Sequence, residues 1–200
     1  METIFTMLAC VLSYLVGSVP SGLIFGKLIW NIDLREHGSH NIGATNAWRT
    51  IGKPAGILIF AFDFLKGVIG VGFGAALSGT PLAQVLGGIF AIIGHSCSLL
   101  LGFKGGKGVA TGLGVIAMLM PKEALIVFLI WLAIVRVTRY VSLGSIVAAA
   151  CAPILAWLFG KPAETVAFGV VAAIFIIYRH QSNIERLLSG TESRIEAAKR

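Results

Sequence analysis

The amino-acid sequence predicts an all-α integral membrane protein: seven transmembrane helices, N-terminus out and C-terminus in, with two short helices among them. Three observations carry this. Of 200 residues, 56% are hydrophobic and only 12% charged, with a mean hydropathy of +0.89, so polar surface is too scarce to coat a water-soluble globule. The apolar residues fall into runs long enough to cross, or nearly cross, a hydrocarbon core that takes roughly 20 helical residues. The basic residues then concentrate in alternate connections between those runs.

The first run is Ile4–Trp30. The start, Met-Glu-Thr-Ile, has no basic region, and Gly17-Ser18-Val19-Pro20 does not resemble a cleavage site, so an uncleaved first helix is expected. Further runs follow at Ala55–Leu77, Leu82–Leu101, Val109–Met120, Ala124–Val137, Leu143–Phe159 and Ala163–Tyr178. The fourth and fifth are short and meet at Pro121-Lys122-Glu123, which makes them either two tilted spans or one re-entrant pair. From Arg179 onward, Ile184, Leu187, Leu188 and Ile195 recur among charges, the pattern of a short amphipathic helix at an interface. No repeat or low-complexity stretch interrupts the chain, and a single domain over 1–200 is the simplest organisation.

Orientation follows from charge, because Lys and Arg accumulate on the cytoplasmic side. One set of connections holds Lys27, Arg35, Arg49, Lys53, Lys104, Lys107, Arg136, Arg139, Arg179, Arg186, Arg194, Lys199 and Arg200; the other holds Lys122 and Lys161. Seven spans preserve this alternation and six would break it. The net charge of +7 does not point to nucleic acid, since the basic residues are scattered between spans; it fits membrane topology and attraction to anionic lipids or substrates. Cys10, Cys97 and Cys151 lie far apart in apolar surroundings without paired or metal-ligand spacing, so neither a disulfide nor a metal is expected.

Three segments on the basic side are richer in Gly and polar residues than a simple turn requires. Gly38-Ser39-His40-Asn41-Ile42-Gly43-Ala44-Thr45-Asn46-Ala47-Trp48-Arg49 offers hydroxyls, amides and a guanidinium to phosphate oxygens. Gly102-Phe103-Lys104-Gly105-Gly106-Lys107-Gly108-Val109-Ala110-Thr111-Gly112 combines close backbone approach, a helix start and two lysines, although it lacks the order of a Walker A loop. Arg179-His180-Gln181-Ser182-Asn183-Ile184-Glu185-Arg186 places His180 and Asn183 about one helical turn apart. A polar turn or a structural His is the plain alternative for each. Asp63 and Lys66, three residues apart in the second run, are expected to pair, with a functional role and a structural one both open. His95 follows the third run near the Gly-Lys segment. Ser142 is expected to cap the sixth helix, and Ser145 is a candidate ligand contact.

Taken together these segments resemble the bacterial acyl-phosphate:glycerol-3-phosphate acyltransferase family of integral membrane enzymes. The likeness runs through Gly17-Ser18-Val19-Pro20-Ser21-Gly22 with Gly26-Lys27, the Gly38-to-Arg49 segment, Gly52, and Asp63-Phe-Leu-Lys66-Gly67. It continues through Gly94-His95, Phe103-Lys-Gly-Gly-Lys-Gly-Val-Ala-Thr111, and His180-x-x-Asn183-Ile184-x-Arg186-Leu187. Two positions depart from it: His40 stands where glycine is common, and Ser98 where a proline often follows the Gly-His pair.

The resemblance implies seven spans with a cytoplasmic-face active site in the bacterial inner membrane. It also implies acyl phosphate as donor, glycerol 3-phosphate as acceptor, lysophosphatidic acid and phosphate as products, and no metal, coenzyme A or other cofactor. Arg49, Lys107, His180 and Asn183 would bind glycerol phosphate; Ser39, Asn41, Thr45, Asn46 and the Gly105-Gly106 backbone would hold acyl phosphate; Lys104 would be a further substrate-binding residue, and Ser145 and His95 would add polar contacts. Of these, Ser39, Arg49, Lys107 and His180 are the catalytic candidates. Membrane lipids, and the enzyme that forms the acyl phosphate, are the implied partners. Because an acyl phosphate is already activated, positioning and charge stabilisation suffice without a protein nucleophile.

Three rivals are weaker. A thioester-using acyltransferase would show His followed five residues later by Asp, but His40, His95 and His180 meet Thr45, Leu100 and Glu185. A transporter of a phosphorylated solute should show repeat symmetry and midplane polar residues. A non-catalytic membrane subunit would need its basic loops only to hold a partner.

Overall fold

The computed structural model describes residues 1–195, and among them every regular element is helical. The charges expected in the tail at Lys199 and Arg200 lie outside the described residues. In chain order the helices are α1 (Glu2–Ser18), α2 (Ser21–Trp30), α3 (Ala44–Thr50), α4 (Lys53–Leu77), α5 (Pro81–Ser96), a 3-10 turn (Leu99–Leu101), α6 (Val109–Leu119), α7 (Pro121–Thr138), α8 (Val141–Leu158), α9 (Ala163–Tyr178) and α10 (Gln181–Leu188).

Proline sets several boundaries. Pro20 lacks an N–H and parts α1 from α2 within one apolar stretch, Glu2–Trp30. Pro81 and Pro121 sit in the first turns of α5 and α7, where no intrahelical donor is lost. Thr80 caps α5, its hydroxyl accepting from the Ala83 N–H at 3.2 Å.

Among the described residues, four helical stretches, Glu2–Trp30, Lys53–Leu77, Pro81–Leu101 and Val141–Leu158, are long and apolar enough to cross a membrane, and α9 with α10 makes a fifth if that pair, bent by 59°, is one span. The fourth run from the sequence becomes α6, whose 11 residues extend only about 17 Å as a straight helix, short of a core of about 30 Å. Of the expected amphipathic tail, Ile184, Leu187 and Leu188 lie on α10 after a sharp bend, whereas Ile195 lies beyond that helix, which ends at Leu188.

The chain forms two compact units, Met1–Val115 and Ile116–Ile195. In the first, α1, α4 and α5 pack on one another. Gly70 and Gly87 face each other so closely that a Cβ on either would strike the other's backbone, the close approach that drives helix association where lipid removes the hydrophobic drive. Leu34, from the connection after α2, is fully buried with Ala47, Ala55 and Ile59, which pins that connection against α3 and α4.

In the second unit, α8 packs between α7 and α9, with Phe168, Ala152 and Ala156 buried. Glu123, buried in the first turn of α7, lies 3.4 Å from Lys161. Each unit also leaves large apolar side chains exposed, Ile4, Met7 and Ile57 in the first and Leu125, Trp157 and Ile174 in the second; such a surface suits lipid rather than water. The chain is a multi-pass membrane protein.

Candidate active site

In the first unit the segment from Asn31 to Gly43 is an organised loop. Asn46, 2% exposed, is its hub. Its side-chain amide donates to the carbonyls of Leu34 (3.0 Å), His37 (3.0 Å) and Asn41 (2.8 Å), while its Oδ1 accepts from the Ser39 N–H at 2.9 Å. Gly38 sits at φ +59, and a Cβ there would press on Asn46 Oδ1, so the hub and the glycine require each other.

The sequence reading placed Asn46 against substrate. Its polar atoms are instead occupied within the loop, where they fix the backbone around Ser39. Asn41 is also committed in part: its Oδ1 accepts from the Gly43 N–H at 2.9 Å, an Asx turn that leads into α3. That helix was not foreseen. It turns the second half of the motif into a short helix on which Thr45 and Arg49 are half-buried.

His40, where glycine is common, has φ 56. A histidine thus occupies the left-handed conformation, with Nδ1 2.9 Å from the Arg35 carbonyl. Asp33 gathers Arg35 through two side-chain bonds of 3.0 and 2.7 Å and Lys27 at 3.0 Å. The Arg35 guanidinium first, then its backbone N–H and Lys27, hold the Asp33 carboxyl well below the usual carboxylate range.

The Gly-Lys segment is the second piece of this unit. It is anchored by Ser98, the other departure, whose hydroxyl donates to the Ser18 carbonyl at 2.6 Å, and by Tyr14, whose hydroxyl donates to the Cys97 carbonyl at 2.9 Å. The Gly106 N–H donates to the His95 carbonyl at 3.1 Å. A Cβ on Gly106 would collide with the His95 ring, so only glycine fits. Lys104 is exposed and Lys107 half-buried, and Arg49 and Lys107 are both engaged in polar contacts.

The two segments meet. Arg35, His40 and Ile42 from one, with Leu101, Lys104 and Gly105 from the other, line an open cleft of about 210 Å³. Three basic side chains and a glycine backbone around a cavity of this size suit an anion.

The second unit carries its own polar cluster. His180, 3% exposed, follows α9 with Nδ1 2.7 Å from the Ile176 carbonyl; a carbonyl only accepts, so Nδ1 bears the hydrogen and Nε2 is the acceptor of the neutral ring. Glu192, buried, accepts from Ser142 Oγ (2.7 Å), Asn183 Nδ2 (2.8 Å) and Arg186 Nε (2.8 Å). Burial alone would raise its pKa, but these bonds from Ser142, Arg186 and Asn183 outweigh it and hold the carboxyl below its ordinary range.

Ser142 is therefore not a helix cap: the α8 N-cap is Tyr140, without a side-chain cap bond, and the Ser142 hydroxyl serves Glu192. Ser145 donates to the Val141 carbonyl one turn back at 2.9 Å. Glu192 was missed by the sequence reading; the signal available was an acid just after the Ser189-Gly190-Thr191 turn in an otherwise basic segment. Among the described residues, no three His, Cys, Asp or Glu side chains gather as a metal would require.

A family described as Glycerol-3-phosphate acyltransferase matches residues 7–190. The chain belongs to the glycerol-3-phosphate acyltransferase family. It is 47% identical over 189 residues to "Glycerol-3-phosphate acyltransferase 2" of Moorella thermoacetica, covering 94% of this chain and 97% of that one. The enzyme of the same family name from Desulforudis audaxviator is 44% identical over 199 residues, with 100% of both chains covered. The crystal structure of PlsY (YgiH), an integral membrane glycerol 3-phosphate acyltransferase, in its glycerol 3-phosphate form superposes with a TM-score of 0.90 at 41% identity over 96% of each chain. Its lysophosphatidic acid form gives 0.88 at 39%, covering 96% of this chain and 95% of that one.

Proposed function

We propose that this acyltransferase-family chain moves a fatty acyl group from acyl phosphate to the 1-hydroxyl of sn-glycerol 3-phosphate, releasing lysophosphatidic acid and phosphate. The observation that carries the reading is the basic cleft where the Ser39–Ile42 loop meets the glycine-rich segment, in a chain similar to a structure solved in glycerol 3-phosphate and lysophosphatidic acid forms.

The hydroxyl oxygen attacks the acyl carbonyl carbon, the bond from that carbon to the phosphate oxygen breaks, and phosphate leaves with the electron pair. Ser39, Asn41, Thr45, Lys104 and the Gly105-Gly106 backbone are assigned to the acyl phosphate, whose departing charge they would stabilise. Arg49, Lys107, His180 and Asn183 are assigned to glycerol 3-phosphate, as bidentate cation, point charge and hydrogen-bonding partners. The hydroxyl proton passes either to a substrate phosphate or to His180 through Nε2.

Seven spans, N-out and C-in, with all three polar segments at the cytoplasmic face of the bacterial inner membrane, fit the alternation of basic residues. The chain is read as a single catalytic domain over 1–200 without a cofactor, supplied by the enzyme that makes acyl phosphate.

The test is purified protein given glycerol 3-phosphate with acyl phosphate or with acyl coenzyme A. Lysophosphatidic acid from the phosphate alone supports the reading. Product from the thioester alone, or uptake into sealed vesicles with no covalent product, overturns it.

A further inference from the structure

Buried in the first unit, away from the cleft lining, is a charged cluster to which the proposed chemistry assigns nothing. The Asp63 carboxylate on α4 is 2% exposed and Lys66, one turn on, 5%. A single oxygen, Asp63 Oδ1, accepts from Lys66 Nζ at 2.6 Å and from Ser21 Oγ of α2 at 2.5 Å, and Lys66 Nζ also reaches Ser21 Oγ at 3.1 Å. Charge buried in apolar spans is costly to keep. Lys66 and Ser21 neutralise and bond the carboxylate, yet a third group approaches the same oxygen: His95 Nδ1 of α5, at 3.5 Å, buried and making no hydrogen bond elsewhere, so that Asp63 is the acceptor it faces.

The other side of His95 supports the glycine segment. Its carbonyl accepts from the Gly106 N–H at 3.1 Å, and the Nε2 edge of its ring occupies the space into which a Gly106 side chain would project. The ring, itself buried, is thus wedged between a carboxylate below and the Gly105-Gly106 backbone above. Rotation of the ring would either lose Asp63 or push the glycines outward.

We propose that Asp63 is a positioning residue for the glycine cradle, acting through His95, and that His95 is a support beneath the backbone rather than a ligand of the substrate. This rests on the reading that the Gly105-Gly106 backbone holds the acyl phosphate. Ser21 and Lys66 hold the carboxylate, the carboxylate holds the ring, and the ring and carbonyl of residue 95 hold the two glycines in register. Asp63 touches no reacting atom, so its removal acts on the acyl donor and spares the affinity for glycerol 3-phosphate.

The test uses full-length protein in detergent micelles, as wild type, Asp63→Asn, His95→Ala and the double variant. Amide hydrogen exchange is followed at residues 105–107, and KM and kcat are measured separately for acyl phosphate and glycerol 3-phosphate. The expected result for each single variant is about tenfold faster exchange at 105–107 and about a tenfold loss of kcat/KM for acyl phosphate, with the glycerol 3-phosphate KM within about twofold. The double variant should lose no more than either single one, because the two residues act in series. Single losses that multiply to about a hundredfold, or exchange at 105–107 unchanged in both single variants, overturn the proposal. If Asp63→Asn does not fold, exchange in His95→Ala alone decides: faster at 105–107 supports the wedge, unchanged rejects it. Wild-type protein without acyl transfer would refute the assigned reaction, while the exchange measurement would still answer for the wedge.

Discussion

The first and second units hold their polar segments by opposite chemistries. In the first, a neutral amide does the work: Asn46 donates to three carbonyls and accepts from the Ser39 N–H, using donor and acceptor in one buried side chain. In the second, a carboxylate does it: Glu192 only accepts, and gathers Ser142, Asn183 and Arg186. A hub that must donate tolerates no loss of its N–H groups; a hub that only accepts keeps, on loss of charge, the bonds made to whichever oxygen remains.

The largest expected effect breaks the first hub. Asn46→Asp keeps the shape and the bond from the Ser39 N–H but turns the amide that donates to three carbonyls into an oxygen facing them, leaving a buried charge without a countercharge, and should cost about 3–5 kcal/mol. Asn46→Ala should cost less, about 2 kcal/mol. Denaturant unfolding in mixed micelles compares them, and an aspartate variant as stable as wild type contradicts the hub.

The matching change in the second unit should be milder. Glu192→Gln retains an acceptor for Ser142 and Asn183 on one atom but puts an amide NH2 where the other oxygen accepts from Arg186, losing that bond, at a cost of about 1–3 kcal/mol by the same unfolding measurement. It also sharpens the contrast in pH. The folded pKa of Glu192 is depressed, so its contribution is fully present above the ordinary glutamate value of about 4.3 and is lost as pH falls through the folded value. Stability measured down the acid limb should fall less steeply in Glu192→Gln than in wild type; identical slopes would remove the charged hub from the account. The smallest effect is at His40. With φ 56, His40→Gly should relieve backbone strain and leave the protein equal or more stable by up to about 1 kcal/mol, with acyl-transfer rate within about twofold. A loss of stability would show that its bond to the Arg35 carbonyl outweighs the strain.

This contrast also explains what the sequence disclosed. Spans are legible because hydropathy is a local sum, and Asp63 with Lys66 because three-residue spacing fixes neighbours on a helix. α3 was not, since the seven residues from Ala44 to Thr50, four of them polar, are too short a run to hold a helix until Ala47 packs under Leu34. Asn46 could be listed among polar candidates, but whether it faces a ligand or its own loop depends on a fold of the backbone that glycine at 38 permits. Glu192 lies 50 residues from Ser142, and only tertiary structure joins them, which is why Ser142 read as a cap.

The central claim is direct transfer between two phosphate-bearing substrates without an acylated protein. It is tested by mixing purified protein with acyl phosphate, quenching within a turnover, and weighing the intact chain before and after glycerol 3-phosphate is added. The account predicts an unchanged protein mass throughout and lysophosphatidic acid only once both substrates are present. A protein heavier by one acyl group before the acceptor arrives, and lightened by its addition, would contradict it.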